Sequence, residues 1–419
     1  MYNYNRKINP TKGHILLNYI SETLKTPVTA SCDVAVCGGG FAGIAAALAA
    51  ARRGADVMLI EREYALGGLG TLGLVTIYLP ICDGTGNQVI FGIGEELLLL
   101  SMKHGYECKY PAPWVEGGSH EEKKRTRFQV GYNGPLFMME AERLLRDAGV
   151  RILYGTQVCS VAADNGRINA LIIENKSGRS AVGIGRAVVD ATGDADIAAF
   201  AGTGTALYTR GNTLSAWYYY CNEKERKRCM LGPAELTDEQ IAAGKTQKPP
   251  LSPLRFTGID GTEISEMMQL SHDATFRDWQ KKHEADPTFM PDTITAIPQL
   301  RMTRRICGLD TLDIYADKRY EDSVGLISNW RVRGPVYEVP FGSLIARGCS
   351  NLLAAGRNIS VTDASWEITR VIPCCSAFGE AAGAAAALFD DFSAPDRAMT
   401  EKLGASLREG GVKLHKDEI

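Results

Sequence analysis

Gly38, Gly40 and Gly43 spell G-x-G-x-x-G inside CDVAVCGGGFAGIAAALAAARRGADVMLIER, and Glu61 stands at the end of that stretch. A glycine turn between a buried strand and a helix lets backbone amides approach a pyrophosphate, with the positive end of the helix dipole behind them. An acidic residue about 20 positions further on is placed to hold a ribose hydroxyl. The chemistry is therefore dinucleotide binding, and the motif by itself does not choose between NAD and FAD. Gly68, Gly70 and Gly73 within GGLGTLG repeat the same spacing. They follow the polar residues 61–66 instead of a hydrophobic strand, and they run into residues 74–80, which do not read as a helix. Without a βαβ unit of its own, this second match is expected to be coincidental as a fingerprint.

Other side chains could act on a substrate. Arg301, Arg304 and Arg305 in QLRMTRRICG could clamp a carboxylate bidentately, with a structural ion-paired cluster as the competing reading. Arg301 is the first choice among substrate contacts. His272 is a candidate general base, although residues 263–282 read as a helix whose solvent face could equally carry it. Tyr337, Trp330 and residues 218–220 could line a pocket or simply pack. The eleven cysteines include no C-x-x-C, which speaks against an iron–sulfur cluster, a zinc ribbon or a thioredoxin-like dithiol. No metal site is expected.

The elements that must position these residues follow from periodicity. Residues 34–36 read as a strand, 42–53 as an alanine-rich helix capped by Gly54, and 57–60 as a second strand. A helix is expected near 94–102 and another over 136–147. VRILYGTQVCSVAAD and INALIIEN, joined by Asn165 and Gly166, read as an antiparallel hairpin. VGIGRAVVDATGDAD is a strand entering a turn at Gly193, and residues 350–388 return to strand, turn and helix. A lead helix is expected from Ile15, Leu16, Tyr19, Ile20 and Leu24.

The 419 residues are 45% hydrophobic, enough for two or three domains, and the net charge is −3. No dense basic run offers a footprint for nucleic acid or an anionic membrane, and Lys123, Lys124 and Arg125 read as a solvated loop. No apolar run reaches the roughly 18 residues of a membrane span, and MYNYNRKINP lacks the apolar centre of a signal peptide. The expectation is a cytoplasmic enzyme, and the terminal KDEI is discounted as a retention signal.

GGLGTLGLVT, VVDATGDADIAAFAG, IPQLRMTRRICG, NLLAAGRNIS and TRVIPCCSAFGEAAG, in that order, resemble a bacterial FAD-dependent oxidoreductase family of the glutathione-reductase-like superfamily. The resemblance spans residues 31–205 and 295–388. It implies an α/β fold: a Rossmann-like FAD-binding domain with a parallel sheet and an antiparallel meander, plus an inserted α+β substrate domain. The boundaries would be a lead at 1–30, a discontinuous FAD domain at 31–90, 131–205 and 341–390, an insertion at 91–130, a cap at 206–340 and a tail at 391–419.

By the same resemblance, Gly38, Gly40, Phe41, Ala42 and Gly43 would cradle the pyrophosphate of a single FAD, and Glu61 would hold the adenosine ribose. Arg62, Gly67 and Gly68 would continue along the cofactor, with Thr71 near its centre and the Val158 backbone at the adenine. Ala191, Thr192, Gly193 and Asp194 would lie near the adenosine and pyrophosphate, and Gly356 and Arg357 near the ribityl chain. Arg370 and Ile372 would stand where a helix N-terminus meets the flavin pyrimidine. Relatives often carry His where Asp363 stands, so chemistry resting on that His would differ here. The implied activity is hydride transfer between a small polar substrate, carboxylated ones included, and non-covalently bound FAD, with Cys374 or Cys375 leaving a cysteinyl linkage open. The catalytic candidates are Arg301, Arg305 and His272. The electron acceptor is unknown, no nicotinamide domain is evident, and homo-oligomer formation stays open. Two alternatives are an NAD-using enzyme resembling thiazole synthases and a catalytically silent flavin-binding subunit.

Overall fold

The computed structural model describes residues 21–107, 109–232, 242, 244–246 and 249–419. The expected lead helix lies largely outside them; Leu24, which is described, is not helical.

Val28–Cys37 is the axis of the main sheet, because its last residues are apolar and can be buried on both faces. It pairs in parallel with Val57–Ile60 on one side and with Gly178–Asp190 on the other. Arg151–Leu153 extends the sheet in parallel beyond Val57–Ile60. Gly178–Asp190 is long enough to serve two partners: its start pairs antiparallel with Arg167–Asn175, and its end pairs in parallel with Leu352–Ala354. Gln157–Asp164 completes the meander against Arg167–Asn175, through a turn with positive φ at Asn165 and Gly166. The expected Rossmann-like α/β architecture is what the chain adopts.

Helices Phe41–Ala51 and Ile372–Leu388 pack against each other unusually closely. A Cβ at Gly379 or Gly383 would fall 2.2 Å from the Ala42 carbonyl oxygen or 2.1 Å from that of Ala46. The alanine and glycine content of both helices thus sets their separation. Among the described residues no single helix is long and apolar enough to cross a membrane.

Within the span 206–340, where a cap was expected, a three-stranded antiparallel sheet places Ala216–Cys221 between Arg226–Leu231 and Met290–Ile294. Helix Gly261–Ala285 covers one face of it, and Leu214, Phe256, Met267 and Leu300 form its own small core. Val324, Leu326, Ile327 and Val339, inside the span 206–340, instead join the main core. So do Leu97 and Phe128 from the span 91–130 and Leu403 and Leu407 from the last 29 residues.

Candidate functional site

The parallel strands Val28–Cys37, Val57–Ile60, Gly178–Asp190 and Leu352–Ala354 all end at one cleft, which Cys37, Ile60, Ala191 and Ala355 line. Ligands of open α/β sheets sit at such carboxyl ends. The cleft holds about 1170 Å³ of empty space, counting the open solvent at its mouth.

The three glycines of the first fingerprint do three different jobs. Gly38 has φ +101°, and a Cβ there would sit 2.4 Å from the Ala191 carbonyl oxygen. At Gly43 a Cβ would lie 1.8 Å from the Gly38 carbonyl oxygen, so that glycine seats the helix on the turn. Gly40 is unlike both: its φ of −67° and ψ of 178° suit any residue, and no atom lies within 4 Å of where its Cβ would be. The fold does not need glycine there, but a phosphate approaching the backbone does. Helix Phe41–Ala51 starts at that point without a side-chain cap, and so does helix Ile372–Leu388 on the other side of the same cleft. Two uncapped N-termini in one cleft suit an extended molecule with a pyrophosphate and a second electron-rich end. The residues present therefore fit FAD.

Glu61 lines the cleft and is buried, its two carboxylate oxygens accepting from the Gly39 amide at 2.5 Å and the Glu63 amide at 2.8 Å. Burial pushes its carboxyl pKa up, and those two amides oppose the rise. Arg62, Gly67, Gly68, Val158, Thr192, Gly193, Gly356, Arg357, Arg370 and Ile372 also line the cleft, as do Phe41 and Ala42. Three expected contacts do not: Gly43, which lies behind the turn against the Gly38 carbonyl, Thr71 and Asp194. Thr71 is buried, and its hydroxyl donates to the Leu66 carbonyl at 2.6 Å, fastening the GGLGTLG loop from behind. Asp194 accepts from the Thr303 hydroxyl at 2.6 Å and from Arg357 at 2.9 Å, so it holds side chains that reach the cleft. GGLGTLG itself forms a short 3-10 turn over Gly68–Gly70 and no helix, and Gly70 packs against the Phe41 ring and the Tyr132 hydroxyl.

The expected arginine cluster separates. Arg304 turns to Asp196 at 2.7 Å, and Arg305 pairs with Asp363 at 2.7 Å while lying over the Trp366 ring. Adjacent strand residues point to opposite sides, so no joint clamp forms. Arg301 donates to Ser215 and rests on the Trp217 ring. His272 is exposed on helix Gly261–Ala285 and is not among the cleft residues, which removes the geometric basis for a general base there. Cys374 is buried away from the cleft; Cys375 lines it, but burial pushes its thiol to about 12, which leaves little thiolate for a covalent bond.

Several lining residues escaped sequence reasoning. Leu69, Gly70, Ile297, Pro298 and Leu300 face the cleft, the last three from IPQLR, where attention to charge favoured the arginine. Asp196 lines it too, its carboxyl raised to about 6 by burial and by Asp194 and Asp190, against Arg304 and Arg62. Asp190, fully buried, accepts from the amides of Ile197 and Ala198 and from Asn358, and so shapes the Thr192–Gly193 turn.

One curated relative, a 4-oxocyclohex-2-ene-1-carboxylate 5-dehydrogenase of Sinomonas cyclohexanicum, is 37% identical over 76 residues, which is 18% of this chain and 12% of that protein. Among solved structures, a geranylgeranyl bacteriochlorophyll reductase-like protein of Thermoplasma acidophilum aligns over 91% of this chain and 82% of its own at 12% identity, with a TM-score of 0.38. The 3-ketosteroid-delta4-(5alpha)-dehydrogenase of Rhodococcus jostii aligns over 86% of this chain and 98% of its own at 14% identity, with a TM-score of 0.35. The sequence matches the family described as FAD dependent oxidoreductase over residues 33–216 and 238–395, and the chain belongs to that family.

Proposed function

We propose that this flavin-dependent oxidoreductase, so classed by its family, holds one FAD in the cleft and moves a hydride between it and a small polar substrate admitted under the cap. The observation that carries the reading is the empty space beside Gly40, flanked by the two uncapped helix N-termini. FAD, when bound, supplies the two-electron chemistry. The chain's own residues bind and orient: Glu61 would hold the adenosine ribose, the amides of Phe41 and Ala42 the pyrophosphate, and Arg357 the ribityl region. The amides at Ile372 would stabilise negative charge on the flavin pyrimidine through the helix dipole. Electrons would pass on to oxygen, a quinone or a protein.

The test is an anaerobic screen of sugars, polyols, amino acids and hydroxy acids against the purified, FAD-reconstituted protein, read as bleaching of the yellow colour. Bleaching by a substrate supports the reading. A protein that refuses FAD but binds NAD would favour the thiazole-synthase-like alternative, and a yellow protein that no substrate bleaches would favour a silent subunit. Denaturation should release the flavin, as expected from the protonated Cys375 thiol.

A further inference from the structure

A second cavity shares no lining residue with the cofactor cleft. Helix Phe41–Ala51 ends at it with Arg52 and Arg53, helix Ile93–Met102 begins at it with Gly92, and helix Arg397–Glu409 ends at it with Gly410. All three ends meet the side of helix Ile372–Leu388 that carries Glu380. The empty space is about 730 Å³, counting the open solvent at its mouth. Two of the three helix ends are C-termini, whose dipoles favour a cation.

Glu380 is only 3% exposed, yet it lines this space. Its Oε2 accepts from the Ile93 amide at 2.8 Å and so supplies the cap that helix Ile93–Met102 lacks at its own N-terminus. Its Oε1 accepts from no donor among the described residues and, unlike the chain's sealed unpaired polar atoms, is open to the cavity. Two glycines keep that carboxylate uncovered. A Cβ at Gly92 would lie 2.6 Å from Oε2, and one at Gly410 would lie 3.2 Å from Oε1. Gly92 needs glycine for its φ of +61°, whereas Gly410, with φ −76° and ψ 0°, has a backbone that suits any residue.

The neighbouring cations are engaged elsewhere. Arg52 is paired with Glu96 through two bonds of 2.7 and 2.8 Å. Arg53 donates to the hydroxyl and carbonyl of Ser406 at 2.7 and 2.8 Å and to the Ala49 carbonyl at 3.0 Å, and forms no ion pair with a described carboxylate. Two arginines thus face three glutamates, Glu96, Glu380 and Glu409, and one positive charge is missing. Burial raises the Glu380 carboxyl to about 7, against the Ile93 amide and the Arg53 charge, and a cation beside it would restore full ionisation at neutral pH. A metal ion needs several oxygen ligands, and no group of three acidic, histidine or cysteine side chains able to hold one exists among the described residues. A guanidinium would ask for both carboxylate oxygens, but Oε2 already serves Ile93. We infer that this cavity binds a small primary amine, whose ammonium group donates to Glu380 Oε1 while Glu409 at the mouth adds negative charge. The inference does not depend on the flavin reading of the cleft.

The FAD-loaded full chain should be titrated calorimetrically near pH 8, above the Glu380 value of about 7, with ethylammonium, n-butylammonium and ethanolammonium chlorides. Butanol and butyrate serve as the uncharged and anionic counterparts. At least one amine should bind roughly tenfold or more tightly than butanol, butyrate should not bind, and the amine should stay bound in about 0.15 M sodium chloride, which screens exposed charges. Glu380→Gln keeps an acceptor for the Ile93 amide and removes the charge, and should weaken the amine roughly tenfold or more. Gly410→Ala sets a methyl group against Oε1 and should weaken it several-fold. Flavin content, read by absorbance, should be unchanged in both variants. No binding of any amine, equal binding of amine and butanol, loss of binding in salt, or unaltered affinity in both variants would overturn the site. If Glu380→Gln does not fold, Gly410→Ala decides alone. A protein that takes up no flavin yet binds an amine through Glu380 would keep the site and sink the cofactor reading, whereas a flavin-loaded protein that binds no amine would sink only the site.

Discussion

Replacing Gly40 with alanine separates what the fold requires from what the cofactor requires. The backbone there is ordinary, and the new methyl group would meet no atom within 4 Å. The cofactor-free protein should therefore keep its stability or gain about 0.4–1 kcal/mol from the stiffer unfolded chain. The same methyl group occupies the space through which a pyrophosphate reaches the Phe41–Ala51 helix amides. Losing one or two charge-assisted hydrogen bonds, each about 1.5–3 kcal/mol, should weaken FAD by about 3 kcal/mol, or roughly a hundredfold in Kd. Gly43→Ala is the contrast: its Cβ would lie 1.8 Å from the Gly38 carbonyl oxygen, so the cofactor-free fold itself should lose about 1–3 kcal/mol. Urea melts of the cofactor-free proteins and FAD titrations followed by fluorescence quenching measure both quantities. If Gly40→Ala bound FAD within threefold of the parent, or unfolded as readily as Gly43→Ala, the assignment of that space to a phosphate would be wrong.

Glu380 is buried in helix Ile372–Leu388, and burial raises its carboxyl from the ordinary 4.5 to about 7. Between those values the folded protein holds a proton that the unfolded chain has lost, so stability should fall by about 3 kcal/mol as pH rises through that window, and Glu380→Gln should flatten the decline in urea melts. Glu61→Gln places an amide nitrogen against one of the two backbone donors at Gly39 and Glu63; it should cost about 1–3 kcal/mol in unfolding and weaken FAD about tenfold, both measurable in the same assays. His272→Ala removes an exposed side chain outside the cleft, and should leave kcat/KM for any substrate found within about twofold and unfolding within about 0.5 kcal/mol.

The dinucleotide-binding part was legible in the sequence because its signals are local. Strand, glycine turn, helix and acidic residue lie within one short stretch, and each constrains the backbone directly. Asn165–Gly166 announced the meander in the same way. The span 206–340 was less legible: Arg304 and Arg305 looked like a cluster along the chain, but a strand sends neighbours to opposite sides, and their partners Asp196 and Asp363 are distant in sequence. Thr71 and Asp194 sit in motif positions yet act one layer behind the cleft, a distinction that only the hydrogen bonds reveal. Ile297, Pro298 and Leu300 line the cleft without chemistry of their own, and nothing in a residue's type marks it as a wall.

Asp194 accepts from Thr303 and Arg357, and Arg357 also donates to the Leu300 carbonyl at 3.0 Å. One carboxylate thus ties the cleft wall at Leu300 and Thr303 to Arg357 and to the turn that follows Gly178–Asp190. A nucleotide gripped by that wall would exchange with solution mainly when those ties loosen. Its residence time would then be set by the opening equilibrium of the protein and would survive dilution and gel filtration. Such a nucleotide would be a fixture recharged in place, turnover after turnover, and not a cosubstrate drawn from the cell's pool.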